Sequence, residues 1–286
     1  MLVTTVCVVI MFCLGCAIGS FLNVCIYRLP IGESVVRPPS HCPNCDTRLR
    51  PADLVPLFSY LFLGRKCRYC KTPISPRYFT VELLVGLLFA GAFYVFGPTV
   101  ELLFCLVFVT VLTAGAFIDI DHMIIPDSVV VTCLLCGLAK DVYHYFVGDL
   151  DMVGITPGFW LFPSFVGALL CGGLFYLLAF WGDLFLRRRY KDDENYEGAL
   201  GLGDVSLAAG IGAVLGYFNG VLSFFFAVVF GAVFGMIQLI AARRRGKKAG
   251  EYNPIPFGPY MVLGVFFVLY FSPVIARLAR WWLGLL

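Results

Sequence analysis

Long apolar runs separated by short polar stretches make up most of the chain, and their lengths set the first expectation. Eight runs, near 3–25, 80–97, 100–118, 128–147, 159–186, 204–218, 220–242 and 258–284, approach the ~20 residues that a helix needs to cross a bilayer core. The sixth is short and rich in glycine, a pattern that suits tilting, breaking or close packing against neighbours. The first run competes with a secretory signal, but Met1-Leu-Val-Thr4 lacks a basic start and no convincing cleavage site follows, so it reads as a retained helix. One sizeable polar region remains, roughly residues 27–79. The expected fold is an all-α polytopic membrane protein: a first helix over 1–26, a cytoplasmic module over 27–79, and a core of about seven further helices over 80–286.

Composition agrees with the pattern. Of 286 residues, 60% are hydrophobic and 14% charged, with a mean hydropathy of +0.89. Soluble domains carry about 25% charged residues, so that class is excluded. The net charge of +3 matters less than where the charges fall. Eighteen of the 21 lysines and arginines cluster between Arg28 and Arg77, at Arg187–Lys191, and at Arg243–Lys248. Eight crossings place all three clusters on one side, which basic loops assign to the cytoplasm, with both termini on the other. The opposite loops hold Glu101, Asp149 and Asp151. The basic clusters read as topology anchors facing anionic lipid rather than as nucleic-acid contacts. Trp281 and Trp282 beside Arg277 and Arg280 read as an interfacial belt.

Candidate chemistry lies in two places. Cys42-Pro-Asn-Cys45 and Cys67-Arg-Tyr-Cys70, separated by 21 residues, have the spacing of a tetrahedral Cys₄ zinc site. Arg65, Lys66 and Arg68 favour the thiolates, and metal would supply much of the folding free energy of so small a module. The competing reading is two disulfides or metal-free thiols, and the cytoplasm disfavours disulfides. The other eight cysteines lie along apolar runs and read as packing residues.

Two aspartates stand at the ends of apolar runs. Asp119 follows the run from Glu101 to Ile118 and opens Asp119-Ile-Asp-His-Met-Ile-Ile-Pro-Asp127, and Asp204 closes Gly201-Leu-Gly-Asp204 before the next run. Acids at the edge of hydrocarbon need a partner, water or a task. Two carboxyls sharing one proton can activate water for peptide hydrolysis without metal. Asp127 after Pro126 reads as a helix-capping acid, Asp121 as facing away from Asp119 on an extended segment, and His122 as an interfacial polar residue. A transporter or channel with proton-binding acids is the rival class. It leaves unexplained why both acids lie at one face.

Taken together, these motifs resemble the bacterial type IV prepilin peptidases, bifunctional leader peptidases and N-methyltransferases of the GxGD aspartic membrane proteases. The likeness rests on Gly19-Ser-Phe-Leu-Asn-Val24 with Arg28-Leu-Pro30, the two cysteine pairs, Ile74-Ser-Pro-Arg-Tyr78 with Val81 and Glu82, the Asp119–Asp127 block, Gly201-Leu-Gly-Asp204-Val205 and Pro256-Phe-Gly-Pro259. The resemblance implies Asp119 and Asp204 as the catalytic pair, type IV prepilins or pseudopilins as substrates, cleavage at the cytoplasmic face of the inner membrane, and methylation of the new N-terminus with S-adenosylmethionine. It also suggests Lys66 and Glu82 as supports of the methyl-donor site, beside the plainer readings of a thiolate neighbour and a helix N-terminal acid. Two positions depart from the family pattern: Ser206 stands where a lysine is common, and Gly64-Arg65 stands where Arg-Gly is common.

Overall fold

The computed structural model describes residues 2–148, 153–156, 159–187, 200–244 and 256–282. Its helices are α1 (Leu2–Arg28), α2 (Phe58–Phe62), α3 (Pro76–Phe96), α4 (Val100–His122), α5 (Asp127–Val147), α6 (Pro163–Arg187), α7 (Leu202–Arg244) and α8 (Gly258–Trp282). A short antiparallel hairpin, β1 (Val153–Thr156) with β2 (Phe159–Leu161), precedes α6. Two compact units divide inside α4, one of Met1–Ile118 and one of Asp119–Leu286.

In the first unit α1 lies against α3 through small residues. A Cβ on Gly19 would stand 2.8 Å from the Glu82 Cα, and one on Gly86 would stand 2.6 Å from the Cys16 Sγ. Lipid supplies no hydrophobic drive for helices to associate, so close backbone approach and polar pairing must hold them. Both are present. Buried Asn23 donates to the Tyr78 carbonyl at 3.2 Å across the pair, and the buried Arg28 guanidinium ties the end of α1 to the loop that follows by donating to the Ser34 carbonyl at 2.9 Å. The Ile74-Ser-Pro-Arg-Tyr78 motif is a helix start: the Ser75 hydroxyl accepts the Arg77 N–H at 3.3 Å, and Pro76 takes the first helical position.

The second unit is built around α7, whose 43 residues merge the two runs expected at 204–218 and 220–242. The merger is nominal. Gly216 has φ 75° and ψ 171°, in the left-handed region that favours glycine. A Cβ on Gly220 would lie 3.5 Å from the Gly212 Cα, whereas eight residues of straight helix span about 12 Å. The chain therefore folds back at Gly216 into two antiparallel limbs. Six described helices are long and apolar enough to cross a membrane, with a shorter apolar helix at Gly258–Phe271. Counting both limbs of α7 and including α8 recovers eight passes.

Polar side chains fasten this turn and its surroundings. The half-buried Lys140 ammonium on α5 donates to the Val214 carbonyl at 2.8 Å, beside the helix break where carbonyls lose in-helix partners. Buried Asp141 accepts the Ser164 N–H at 2.7 Å, so α5 caps the first turn of α6. Gly167 and Gly212 bring α6 and α7 into backbone contact, and Gly137 meets Ala213 in the same manner. Rings fill the wider gaps, with Phe175 against Phe224 at 4.5 Å and Phe226 against Phe267 at 4.4 Å between centroids.

Several sequence-level boundaries change. The run placed at 159–186 becomes helical only from Pro163, because Phe159–Leu161 pairs with β1. Hydropathy alone does not separate an apolar strand from a helix start. Cys13 is exposed rather than packed, and Cys7 is partly so; Cys16, Cys25, Cys105, Cys133, Cys136 and Cys171 are buried. The anchors Arg188, Arg189, Lys191, Arg245, Lys247 and Lys248, the loop acids Asp149 and Asp151, and the side chains of Trp281 and Trp282 lie outside the described residues.

Replacing Gly212 with alanine puts a Cβ into the Gly167 carbonyl, an overpacking that costs about 1–3 kcal/mol. In detergent, Gly212→Ala should melt several degrees below the unmodified protein. Gly235→Ala, whose Cβ meets nothing within 4 Å, should not.

Candidate functional site

Asp119 sits one turn from the end of α4 and is buried. α4 stays helical through His122, and its end is closed by the Met123 N–H donating to the Asp119 carbonyl at 2.9 Å. Asp121 is therefore about 200° around the helix from Asp119 and exposed, turned away by helical rather than extended geometry. His122 is exposed at the helix end. Asp127 opens α5 behind Pro126 without a side-chain capping hydrogen bond, which leaves it a favourable charge in the first turn.

Asp204 stands in the first turn of α7, where its N–H donates to the Gly201 carbonyl at 3.1 Å. Ile125 joins it to Asp119. A Cβ on Gly203 would touch Ile125 at 3.5 Å, and a Cβ on Gly258, at the start of α8, would touch Ile125 at 3.5 Å and the Asp119 Oδ2 at 2.5 Å. The Gly258 N–H donates to the same Asp119 Oδ2 at 3.1 Å. The two carboxyls are close enough to interact electrostatically. Three helix termini thus converge on one pair of acids. Ser206, where the family pattern favours a lysine, turns its hydroxyl back onto the Leu202 carbonyl at 3.1 Å.

Neighbouring helices run on past the acids. α6 runs antiparallel to the first limb of α7, with Gly172 against Ala209 and Gly167 against Gly212. That register puts Asp204 level with the neighbourhood of Tyr176, and α6 continues to Arg187, about 16 Å further. On the second limb, Gly231 lies against Tyr260 and Phe257, and the helix runs on to Arg244, about 20 Å further. Both overhangs expose large apolar side chains, Phe180, Trp181 and Leu184 on α6 and Phe234, Met236 and Ile237 on α7. Such surfaces suit hydrocarbon. Sequence placed the acids at helix ends correctly. It carried no information on how far neighbouring helices overshoot them.

In the first unit the four candidate thiols converge. The Sγ atoms of Cys42, Cys45, Cys67 and Cys70 all lie within 4.8 Å of one another, with Cys42 and Cys70 at 3.8 Å. A tetrahedron with 2.3 Å zinc–sulfur bonds has edges of about 3.8 Å, so this donor set fits a closed tetrahedral ion. Each half has the same build. The Cys42 N–H donates to the Thr47 carbonyl and the Cys67 N–H to that of Thr72, while Asp46 and Lys71 take matching positive φ angles of 50° and 61°. The repeat Cys-x-x-Cys-x-Thr is visible in the sequence, though only the cysteines were singled out. Hydrogen bonding by the Thr72 hydroxyl and backbone holds the Cys70 thiol down to about 6, while burial pushes Cys42 up to about 11.

Asp53, not singled out from sequence, ties the second cysteine turn to the preceding loop. Its almost fully covered carboxylate accepts from Arg68 at 2.6 Å and from the Tyr69 hydroxyl at 3.0 Å. Buried Glu82 accepts the Leu57 N–H at 2.8 Å and a hydrogen bond from Ser20, anchoring the module to α3 and α1. Lys66 is exposed beside Cys67, its backbone bridged to Pro73. Arg65 has φ 62°, which suits the glycine that the family pattern places there.

Comparison with known proteins places the chain in a family. Residues 13–96 match the model of the bacterial peptidase A24 N-terminal domain, and residues 106–236 match that of the type IV leader peptidase family. Similar proteins include the prepilin leader peptidase/N-methyltransferases of Myxococcus xanthus (strain DK1622), 39% identical over 87% of this chain and 68% of that protein, and of Stutzerimonas stutzeri, 35% identical over 87% and 86%. The protein of that name from Bacillus subtilis (strain 168) is 31% identical over 96% of this chain and 99% of its own length. No solved structure matches. With both domains matched and similarity running through nearly the whole chain, this protein belongs to the type IV leader peptidase family.

Proposed function

We propose that this chain removes the leader peptides of type IV prepilins or pseudopilins by an aspartyl mechanism and methylates the residue thereby exposed. The observation that carries the first half is the meeting of the α7 start, which bears Asp204, and the α8 start with Asp119 around Ile125. One carboxylate takes a proton from water as its oxygen bonds to the scissile carbonyl carbon, and the other carboxyl gives its proton to the carbonyl oxygen. When the C–N bond breaks, the first returns its proton to the leaving amine and the second recovers one from a hydroxyl of the tetrahedral diol as it collapses to the carboxylic acid. The catalytic roles of both aspartates rest on this geometry and on family membership.

The basic clusters support an inner-membrane protein whose site is reached from the cytoplasm. A substrate of matching chemistry is an apolar helix with a polar leader, its scissile bond near that junction. The apolar overhangs of α6 and α7 offer the hydrophobic part a surface. Gly201, without a side chain, leaves room for an extended backbone beside Asp204.

Zinc is the ion we assign to Cys42, Cys45, Cys67 and Cys70. Four thiolates leave it no open position, so its role is structural. We assign methyl transfer to the polar module over 27–79, with the core over 80–286 carrying hydrolysis. S-adenosylmethionine supplies the methyl group when bound. Lys66 is a candidate support for that donor; Glu82, occupied by Leu57 and Ser20, supports it by holding the module in place.

Three outcomes test these assignments. With a prepilin-like peptide in detergent, Asp119→Asn and Asp204→Asn should each lose more than about 1000-fold in cleavage while retaining the unmodified melting temperature, because an amide is neither acid nor base at working pH. Normal cleavage by either variant refutes the pair. Elemental analysis should find about one zinc per chain, reduced by any single Cys→Ser change in the cluster and released on acidification as the thiolates take up protons. A folded, metal-free module under reducing conditions contradicts the zinc assignment. Mass spectrometry of the cleaved peptide should show methylation by the unmodified protein and unmethylated but fully cleaved product from Lys66→Ala. Full methylation by that variant removes Lys66 from the donor site.

A further inference from the structure

The start of α8 bears directly on Asp119. Gly258 and Asp119 are both buried, and the Gly258 N–H donates to Asp119 Oδ2 at 3.1 Å across 139 residues of sequence. The local sequence explains why that donor is free. The first N–H groups of a helix have no partner within it. In α8 the Phe257 carbonyl takes the Tyr260 and Met261 N–H groups at 3.0 and 3.2 Å, and Pro259 has no N–H to give. The Gly258 N–H stands outside the helical ladder, at the positive end of the helix dipole. A side chain at this position is incompatible with the contact, since a Cβ would stand 2.5 Å from Asp119 Oδ2 and 3.2 Å from its Cγ.

We propose that Gly258 is a positioning residue for hydrolysis, its backbone N–H fixing Asp119 as the base of the aspartate pair. The proposal rests on the Asp119–Asp204 reading above. A donated N–H stabilises a carboxylate in its ionised form, so Asp119 is the charged member of the pair and the shared proton resides on Asp204 before water attacks. Water then gives its proton to Asp119 Oδ1, the oxygen that Gly258 leaves open, and Asp204 protonates the substrate carbonyl. The same contact fixes the rotation of the Asp119 carboxyl, so that Oδ1 rather than Oδ2 is presented. The Phe257-Gly-Pro259 part of the motif is thereby accounted for. Proline at 259 withdraws a competing donor, and glycine at 258 permits the approach.

The test replaces the N–H by an oxygen, and the melting temperature reports the accompanying weakening of the Phe257 carbonyl as acceptor for Tyr260 and Met261. Cell-free synthesis with glycolic acid at position 258 replaces the amide by an ester, and cleavage of a prepilin-like peptide is followed with kcat and KM separated. The expected result is a fall in kcat of about 100-fold, the scale for losing one preorganised backbone donor, with KM within twofold and the melting temperature unchanged. Gly258→Ala should lose at least as much, and Gly231→Ala, whose Cβ makes only ordinary contacts at 3.7–3.8 Å, should keep the unmodified kcat. An ester protein with undiminished kcat overturns the proposal. So does a loss carried by KM, or one matched by a fall in melting temperature, since either marks a merely structural contact. Asp119→Asn in the same assay separates the two levels of reading. If Asp119→Asn is inert while the ester protein is fully active, only the role of Gly258 fails; if Asp119→Asn cleaves normally, the aspartate pair itself fails.

Discussion

A polar group placed in hydrocarbon must find its partner inside the protein, and this constraint runs through every part of the structure. Water is absent from the bilayer core, so an unmatched amide or carboxylate there costs several kcal/mol. Among the described residues no buried side-chain nitrogen or oxygen lacks a hydrogen-bond partner. The solutions recur. A side chain from one helix satisfies the backbone of another at its end or break: Asn23 at the start of α3, Lys140 at the Gly216 turn, Asp141 at the start of α6, and Glu82 at Leu57. The Asp119–Gly258 contact belongs to the same set. What differs is that its acceptor has a neighbouring carboxyl, that of Asp204.

Glycine is the second half of the solution. Side chains can satisfy a neighbour's backbone only if helices approach closely, and here they do so where Cβ atoms are missing. Gly15, Gly19 and Gly86 bring α1 and α3 together, and Gly167 and Gly212 bring α6 and α7 together. Gly216 serves differently, through its left-handed backbone, and allows two antiparallel passes within one element. The first limb of α7 is consequently short, which leaves Asp204 well below the ends of α6 and the second limb.

Much of this was legible in the chain. Eight apolar runs gave eight passes, and the C-x-x-C spacing gave a thiol cluster with zinc dimensions, because periodicity and short-range spacing report local geometry. Long-range partners were harder to read. Nothing local to Gly258 marks it as a donor to a residue 139 positions earlier, nor does Asp141 announce that it caps α6. The strand at Phe159–Leu161 was hidden by apolarity that suits either structure. Asp53 was passed over because a single acid in a polar loop carries no pattern, although its contacts to Arg68 and Tyr69 hold the second cysteine turn.

The central claim is that Asp119 and Asp204 form one site within a single chain. Bridging them with a metal tests this without reference to activity. Two thiolates a few ångströms apart bind a soft cation far more tightly than one does. In lipid nanodiscs, Asp119→Cys, Asp204→Cys and the double variant can be labelled with a membrane-permeant maleimide, with and without Cd²⁺, and modification read at each position by peptide mass spectrometry. The account predicts that Cd²⁺ protects both engineered thiols of the double variant at a concentration about 100-fold below that needed in either single variant. Equal protection in single and double variants would place the two carboxyls apart and contradict the account.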